Sequence, residues 1–348
     1  MSEAGGRPIA PLCVSMGEPG GIGAEILMQS WLQREIEAVP PFLAIDDPAR
    51  LRAAAQELGW PVPVTEIGAA AETFSVWPRA LPVLPVGHQV PWRPGRGDPG
   101  LAGVVVAALE RGIDLTVAGK TAALVTNPIN KKLLYDGGFG FPGHTEYLAD
   151  RTGAPHHAMM LAVPDMAEAP GLRAIPATIH LSLKDAIRQL STDHLVFQGR
   201  LIDRSLRRDF GLTRPRLVLS GLNPHAGEEG ALGLEDREIV QPAVDRLRSE
   251  GIDARGPLPA DTLFHARARA GYDAALCMYH DQALIPVKTI DFDRGVNVTL
   301  GLPIIRTSPD HGTAMDIAGR GVARPVSLIA ALHMAAEMAA CRAAADAA

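Results

Sequence analysis

Cysteine is scarce in this chain. Cys13, Cys277 and Cys341 are the only three in 348 residues, and none stands in a CxxC pair. That is too few for a disulfide framework, and reduced thiols in a cytoplasmic protein are the plain expectation. Basic blocks are missing as well. The formal net charge is −6, so nothing here tracks a nucleic-acid backbone, and any positive charge offered to an anionic ligand must be local. No apolar run approaches the roughly 20 residues that cross a bilayer, so no membrane span is expected. The opening stretch MSEAGGRPIAPLCVSMGEPG has neither a basic start nor a long apolar region, and no secretory leader is expected. There is no internal repeat. A GxGxxG fingerprint is also lacking: the glycines of GEPGGIGAE (17–25) are spaced differently, and no acidic residue is clearly placed at the end of a second strand to grip a ribose. A structural turn accounts for those glycines at least as well as a phosphate cradle does.

Strands alternating with helices are what the chain does contain. PIAPLCVSM leads through the glycine turn into AEILMQSWLQRE, and PFLAID is followed by DPARLRAAAQELGW, a helix with Asp47 and Pro48 at its start. GLAGVVVAALERGIDLTVAGK reads as a helix, AALVTNPINKKLL as a strand with a new helical start, and PVSLIAALHMAAEMAACRAAADAA as an alanine-rich helix. With hydrophobic residues at 47% and charged ones at 21%, this is an ordinary globular composition. The length implies two lobes or one large α/β unit, and the alternation implies a largely parallel sheet. Residues 61–100, rich in proline and glycine, read as a solvated connection or an irregular arm.

Three apolar runs end in histidine: IPATIH at His180, LVLSGLNPH at His225 and AALCMYH at His280. Ligands of open α/β sheets bind outside the carboxyl ends of strands, so three such ends can bring these histidines to one point. Three neutral imidazoles suit a divalent metal and leave positions open for substrate or water. Any one of them alone is explained by a capped strand or a loop hydrogen bond; the repetition carries the signal. Nearby, Asp281 could orient His280 or accept a proton, and Lys288 could act as general acid or base. Arg306 could hold a carboxylate or phosphate through two parallel hydrogen bonds. Asn297 offers an amide, and His144 and Thr145 follow a Pro-Gly turn in FPGHTEY.

SMGEPGGIGAEI, TNPINK, FPGHTEYLA, GLNPHAGEEGALGLED, GPLPADTLF, MYHDQALIPVK and RGVNVTLGLPIIRTSPDHGTAMDIAGRG together resemble the PdxA family of 4-hydroxythreonine-4-phosphate dehydrogenases of vitamin B6 synthesis. The resemblance runs in order from about residue 12 to 335. It implies an α/β, two-lobed isocitrate/isopropylmalate dehydrogenase-like fold with a largely parallel sheet and a central cleft. A cofactor-side lobe would take 1–128 plus 307–348, and a substrate, metal and dimerisation lobe 129–306. It further implies a cytoplasmic homodimer with its active site at the subunit boundary, acting on a small phosphorylated hydroxy acid, not on nucleic acid or membrane. NAD or NADP would take hydride from the 3-hydroxyl carbon of 4-phosphooxy-L-threonine, and loss of carbon dioxide would give 3-amino-2-oxopropyl phosphate. Carried over residue by residue, the metal ligands fall on His180, His225 and His280, for Zn, Mg or Co. Substrate contacts fall on His144, Thr145, Lys288, Asn297 and Arg306, and the proton falls to Lys288 or Asp281. DHGTAMDIAGRG resembles the adenosine-binding loop of isopropylmalate dehydrogenases, pointing to His311, Gly312, Thr313, Ala314 and Asp316.

The chain departs from the family pattern at Asn127, Asn130 and Glu229, which bears on substrate choice among phosphothreonine, phosphothreonate and phosphoerythronate. Two other classes compete. A metal-dependent sugar-phosphate aldolase or isomerase would use the histidines and the lysine but not the DHGTAMDIAGRG loop. A non-catalytic phosphometabolite-binding protein would be expected to lack one of the histidines or the lysine.

Overall fold

The computed structural model of the chain describes residues 10–141 and 143–347. The first nine residues, part of the stretch read for a leader, and Pro142, half of the Pro-Gly turn before His144, lie outside the described residues. The chain divides into two compact units. One reaches to His156 and takes in Leu302–Ala340; the other is His157–Gly301 with Cys341–Ala348.

In the first unit lie β1 (Leu12–Ser15), β2 (Phe42–Asp46), β3 (Val64–Glu66), β4 (Leu81–Pro85), β5 (Leu124–Thr126) and, late in the chain, β12 (Arg306–Pro309). Their order is β3-β4-β2-β1-β5-β12, and every neighbouring pair is parallel. The sequence explains this. LCVS and FLAID are buried along their whole length, as strands covered on both faces must be. Cys13, Leu43, Ile45 and Leu124 share one buried cluster with Ala108, Leu109 and Ile113 of helix Ala102–Val117. Gly112 lies on that helix's inner face because a Cβ there would stand 2.6 Å from Leu124 Cδ1. The helix Pro48–Leu58 starts as its sequence announced, with Asp47 accepting a hydrogen bond from the Ala49 amide, and it stops at Gly59 in the left-handed conformation.

Residues 61–100 are not a solvated connection throughout. They contain β3 and β4, and Val62, Ile67, Leu81, Val83, Leu84 and Val90 are buried. Both strands are short and proline-flanked, which hid them. The stretch after Val90 is irregular and mostly exposed.

The second unit holds β6 (Ala158–Val163), β7 (Leu172–Pro176), β8 (Arg216–Ser220), β9 (Asp253–Leu258), β10 (Ala274–Cys277) and β11 (Val296–Leu300), in the order β11-β6-β7-β10-β8-β9. β7, β10, β8 and β9 run parallel, whereas β6 is antiparallel to both β11 and β7. The mixed α/β class with largely parallel strands is thus the one implied by the alternation of elements. β6, AMMLAV, is a plain apolar run, and such a run carries no sign of its direction.

The three cysteines are free thiols. Burial pushes Cys13 up to about 11 and Cys277 up to about 12, so both stay protonated and unreactive at neutral pH. The expectation that no apolar run approaches 20 residues is corrected. Helix Val326–Asp346 spans 21 residues and is apolar enough, by length and composition, to cross a membrane. Leu328, Leu332, Ala335 and Met338 are buried in the protein, as in a core helix.

Candidate active site

β7, β10 and β8 are neighbours in that order and parallel, so their carboxyl ends lie side by side. Each leads into one of the three histidines. The strands stop before them, at Pro176, Ser220 and Cys277, so the histidines stand in the connections beyond the sheet rather than on it. His280 opens helix His280–Ile290, which also carries Asp281 and Lys288.

Side-chain hydrogen bonds sew the three connections together. The Thr178 hydroxyl donates to the Met278 carbonyl (2.9 Å), linking the His180 and His280 connections. Gln282, 8% exposed, links the His280 and His225 connections. Its carbonyl oxygen accepts from the Met278 amide (2.7 Å) and the Ser220 hydroxyl (2.7 Å), and its amide donates to the Gly221 carbonyl (2.7 Å). Beyond Gly221, the buried Asp236 accepts from the Leu222 and Asn223 amides at 2.7 and 2.9 Å.

His180 and His280 face each other across 5.9 Å between ring centroids. Both line a cavity of about 230 Å³ with Thr178, Leu181, Leu183, Ala186, Tyr279 and Asp281. Metal–nitrogen bonds of about 2 Å would put two imidazoles on one ion at about 5–6 Å between centroids, so this pair fits a divalent ion in kind and spacing. His280 Nδ1 is 2.7 Å from Asp281 Oδ1. His225 is exposed and is not among the residues lining the cavity. Among the described residues no three His, Cys, Asp or Glu side chains are grouped closely enough to enclose a metal. His180 (φ 54°) and the run His225–Glu229 (φ between 44° and 81°) occupy the left-handed region. Four of those five are not glycine, and such residues cost about 1–2 kcal/mol each there. Backbone strain of this kind clusters at functional sites.

The same unit holds Lys288, half-buried with Nζ 5.1 Å from the centre of the Phe292 ring. Asn297 is on β11, and its buried amide oxygen has no hydrogen-bond partner among the described residues.

His144, Thr145 and Arg306 fall in the first unit. Arg306 begins β12 and is 5% exposed, with Nε and Nη2 donating to Thr126 Oγ1 at 3.2 and 2.7 Å. Burial lowers its pKa to about 10, with the Glu146 charge opposing, so it remains a cation at neutral pH. His144 opens helix His144–Arg151. Burial first, then the Arg306 and Lys131 charges, holds its imidazole down to about 3. His144 is therefore a neutral hydrogen-bonding group within the field of two cations, Arg306 and Lys131, an arrangement that suits a phosphate or carboxylate.

The candidate cofactor loop also lies in this unit, between β12 and helix Val326–Asp346. His311 Nδ1 is 2.9 Å from the Gly312 carbonyl oxygen, Ala314 is left-handed (φ 43°), and Asp316 is exposed. Three amides of the glycine turn beside it are already taken. The Gly20 amide donates to Glu18 Oε1 (3.1 Å), Gly21 to the Glu18 carbonyl (3.1 Å) and Ile22 to the Thr313 carbonyl (3.0 Å). A second strand does end in an acid, contrary to expectation: Asp46 closes β2. Its carboxylate is 1% exposed and is taken by Arg50 Nε and Nη2, while Arg50 Nη1 donates to the Pro19 carbonyl (3.3 Å). It is not available to a ribose.

The departures from the family pattern take definite places. Asn130 caps helix Lys131–Asp136 and donates to Met315 Sδ (3.7 Å), and Asn127 is buried beside Gly17 and Gly23. Asn127 thus adjoins the glycine turn and Asn130 the loop. Glu229 ends the left-handed run. Gln282, Thr178 and Lys131 were passed over in the sequence. A polar residue inside MYHDQALIPVK was the one visible signal for Gln282.

The family model described as pyridoxal phosphate biosynthetic protein PdxA matches residues 38–335. A 4-hydroxythreonine-4-phosphate dehydrogenase of Xanthobacter autotrophicus is 54% identical, over 95% of this chain and 94% of its own. One of Methylorubrum extorquens is 53% identical over 93% of each. The crystal structure of a 4-hydroxythreonine-4-phosphate dehydrogenase from Klebsiella pneumoniae superposes with a TM-score of 0.82 at 34% identity, covering 95% of this chain and 99% of that one.

Proposed function

The chain belongs to the PdxA family, and from that premise we propose that it oxidises the 3-hydroxyl of 4-phosphooxy-L-threonine with NAD or NADP and decarboxylates the product to 3-amino-2-oxopropyl phosphate, in pyridoxal phosphate biosynthesis. The observation that carries this is 54% identity to a dehydrogenase of that name along 95% of the chain.

His180, His225 and His280 would hold the divalent ion. When bound, it supplies Lewis acidity that lowers the hydroxyl pKa and draws off negative charge as carbon dioxide leaves. Asp281 accepts from His280 Nδ1–H, which selects the tautomer with Nε2 free to ligate. Orienting His280 is the role this contact favours for Asp281, and Lys288 then takes the hydroxyl proton. The carboxylate end of the substrate meets the Asn297 amide. Its phosphate is a remote handle held by Arg306, Thr145 and the neutral His144, and that binding energy aligns the reacting carbon. His311, Gly312, Thr313, Ala314 and Asp316 would hold a nicotinamide dinucleotide through its adenosine, and that group, when bound, would supply the hydride acceptor. A cytoplasmic homodimer with the active site at the subunit boundary completes the reading. The exposed Leu181 and Leu183, which line the histidine cavity, support the homodimer.

Reduced-nicotinamide formation from phosphothreonine, phosphothreonate and phosphoerythronate, with and without added metal, is the test. Preference for phosphothreonine by about tenfold or more is expected. Faster turnover of either analogue lacking the amino group would reassign the substrate, and no turnover of all three would sink the dehydrogenase reading.

A further inference from the structure

The buried glutamate at the start of helix Gly23–Leu32 has a role that the mechanism above leaves unassigned. Glu25 is 0% exposed. Its two carboxylate oxygens accept from two backbone amides of the candidate cofactor loop: Oε1 from Gly319 (2.6 Å) and Oε2 from Gly321 (2.9 Å). Both glycines are left-handed, at φ 78° and 68°. At the other end of the loop the Ile22 amide holds the Thr313 carbonyl. Two adjacent stretches of one turn thus fix the loop on either side of Ala314, Met315 and Asp316.

The glycines of the turn fit this role. A Cβ on Gly21 would stand 2.8 Å from the Thr313 carbonyl oxygen, one on Gly20 would stand 2.3 Å from the Arg96 carbonyl oxygen, and one on Gly319 would stand 2.5 Å from Pro94. The Gly95 amide donates to the Gly20 carbonyl (2.8 Å), so the arm after Val90 closes the same layer. The turn's Gly20, Gly21 and Ile22 amides are spent inside the protein. Gly20 and Gly21 allow close approach of backbone to backbone.

We infer that residues 17–25 form a mould for the 311–321 loop, and that Glu25 is a positioning residue which holds that loop in its dinucleotide-binding shape. This rests on the reading of 311–321 as the cofactor loop. A carboxylate accepting two backbone N–H groups makes charge-assisted bonds, stronger than neutral ones. Uncharged replacements weaken both bonds and leave one N–H facing a donor.

The experiment compares wild type with Glu25→Gln, which keeps size and shape, and with Glu25→Asp, which keeps charge but draws back by one carbon. Amide exchange of the 311–321 peptide is read in the ligand-free protein, and KM for dinucleotide, KM for the phosphorylated acid and kcat are read separately. E25Q should exchange the loop about tenfold faster or more and raise dinucleotide KM by about tenfold, the size of one lost charge-assisted bond. KM for the acid should stay within about twofold, and E25D should fall between. A folded E25Q with unchanged loop exchange, or one that binds dinucleotide as wild type does, would overturn the role of Glu25 while leaving the cofactor reading intact. Failure of the wild-type chain to bind any nicotinamide dinucleotide would overturn the cofactor reading itself. Should E25Q not fold, E25D with unaltered exchange and dinucleotide KM would refute the inference equally.

Discussion

Gln282→Leu removes a side chain that joins two of the histidine-bearing connections while keeping nearly the same volume. Three hydrogen bonds disappear: to the Met278 amide, the Ser220 hydroxyl and the Gly221 carbonyl. Ser220 retains a longer contact to the Leu276 carbonyl (3.5 Å), but the other two partners lose this contact inside a buried site. At about 0.5–1.5 kcal/mol per neutral bond, with unmade buried groups at the upper end, the loss is about 2–4 kcal/mol. Part of it falls on unfolding. The rest should appear as slack between His280 and His225, and groups that orient metal ligands typically change metal affinity by about 10–100-fold. Equilibrium dialysis of the apo-protein against Zn and Co therefore gives the direct readout, with denaturant unfolding of the metal-free protein beside it. Gln282→Glu keeps two acceptors and loses the donor to Gly221, so it should lie between leucine and wild type. A folded Gln282→Leu that binds metal as tightly as wild type would refute the claim that these hydrogen bonds bring the connections together.

His225→Ala should abolish metal-dependent turnover while leaving far-UV circular dichroism unchanged; full activity in metal-free buffer would remove the three-histidine assignment. Lys288→Met should lower kcat by about 100-fold or more with dinucleotide KM nearly unchanged, and an unaltered rate would take this lysine out of the chemistry. His144 gives a pH prediction. Its imidazole is depressed from about 6.5 unfolded to about 3 folded, so the unfolded chain binds the proton first. Its contribution to stability is present above about 6.5 and is lost as pH falls towards about 3. His144→Gln should therefore have a shallower loss of stability than wild type between those values, and equal slopes in the two proteins would contradict the burial of a neutral histidine beside Arg306.

The alternation of apolar runs and amphipathic segments made the α/β class legible, and Asp47 with Pro48 marked a helix start because the physics of a cap is local. The histidine pattern was legible for a similar reason. Each follows a strand whose own apolar sequence is plain, although the strands end earlier than a continuous reading of IPATIH or LVLSGLNPH implied. Asp46 shows where sequence stops helping. FLAID announces an acid at the end of a strand, yet only the packed Arg50 reveals that the carboxylate is already occupied. Gln282 and Glu25 hold partners far along the chain, which no local pattern encodes. β3 and β4 were hidden by their prolines, and helix Val326–Asp346 was underestimated because a long alanine-rich segment is apolar without looking so.

The central claim is metal-dependent oxidative decarboxylation, and one measurement meets it most directly. Reduced nicotinamide and carbon dioxide released from 4-phosphooxy-L-threonine are quantified together in protein stripped with chelator and then reloaded with a divalent metal. The account predicts that both products vanish on stripping, return on reloading and appear in equal amounts. Reduced nicotinamide formed at an undiminished rate by the stripped protein, or formed without carbon dioxide, would contradict it.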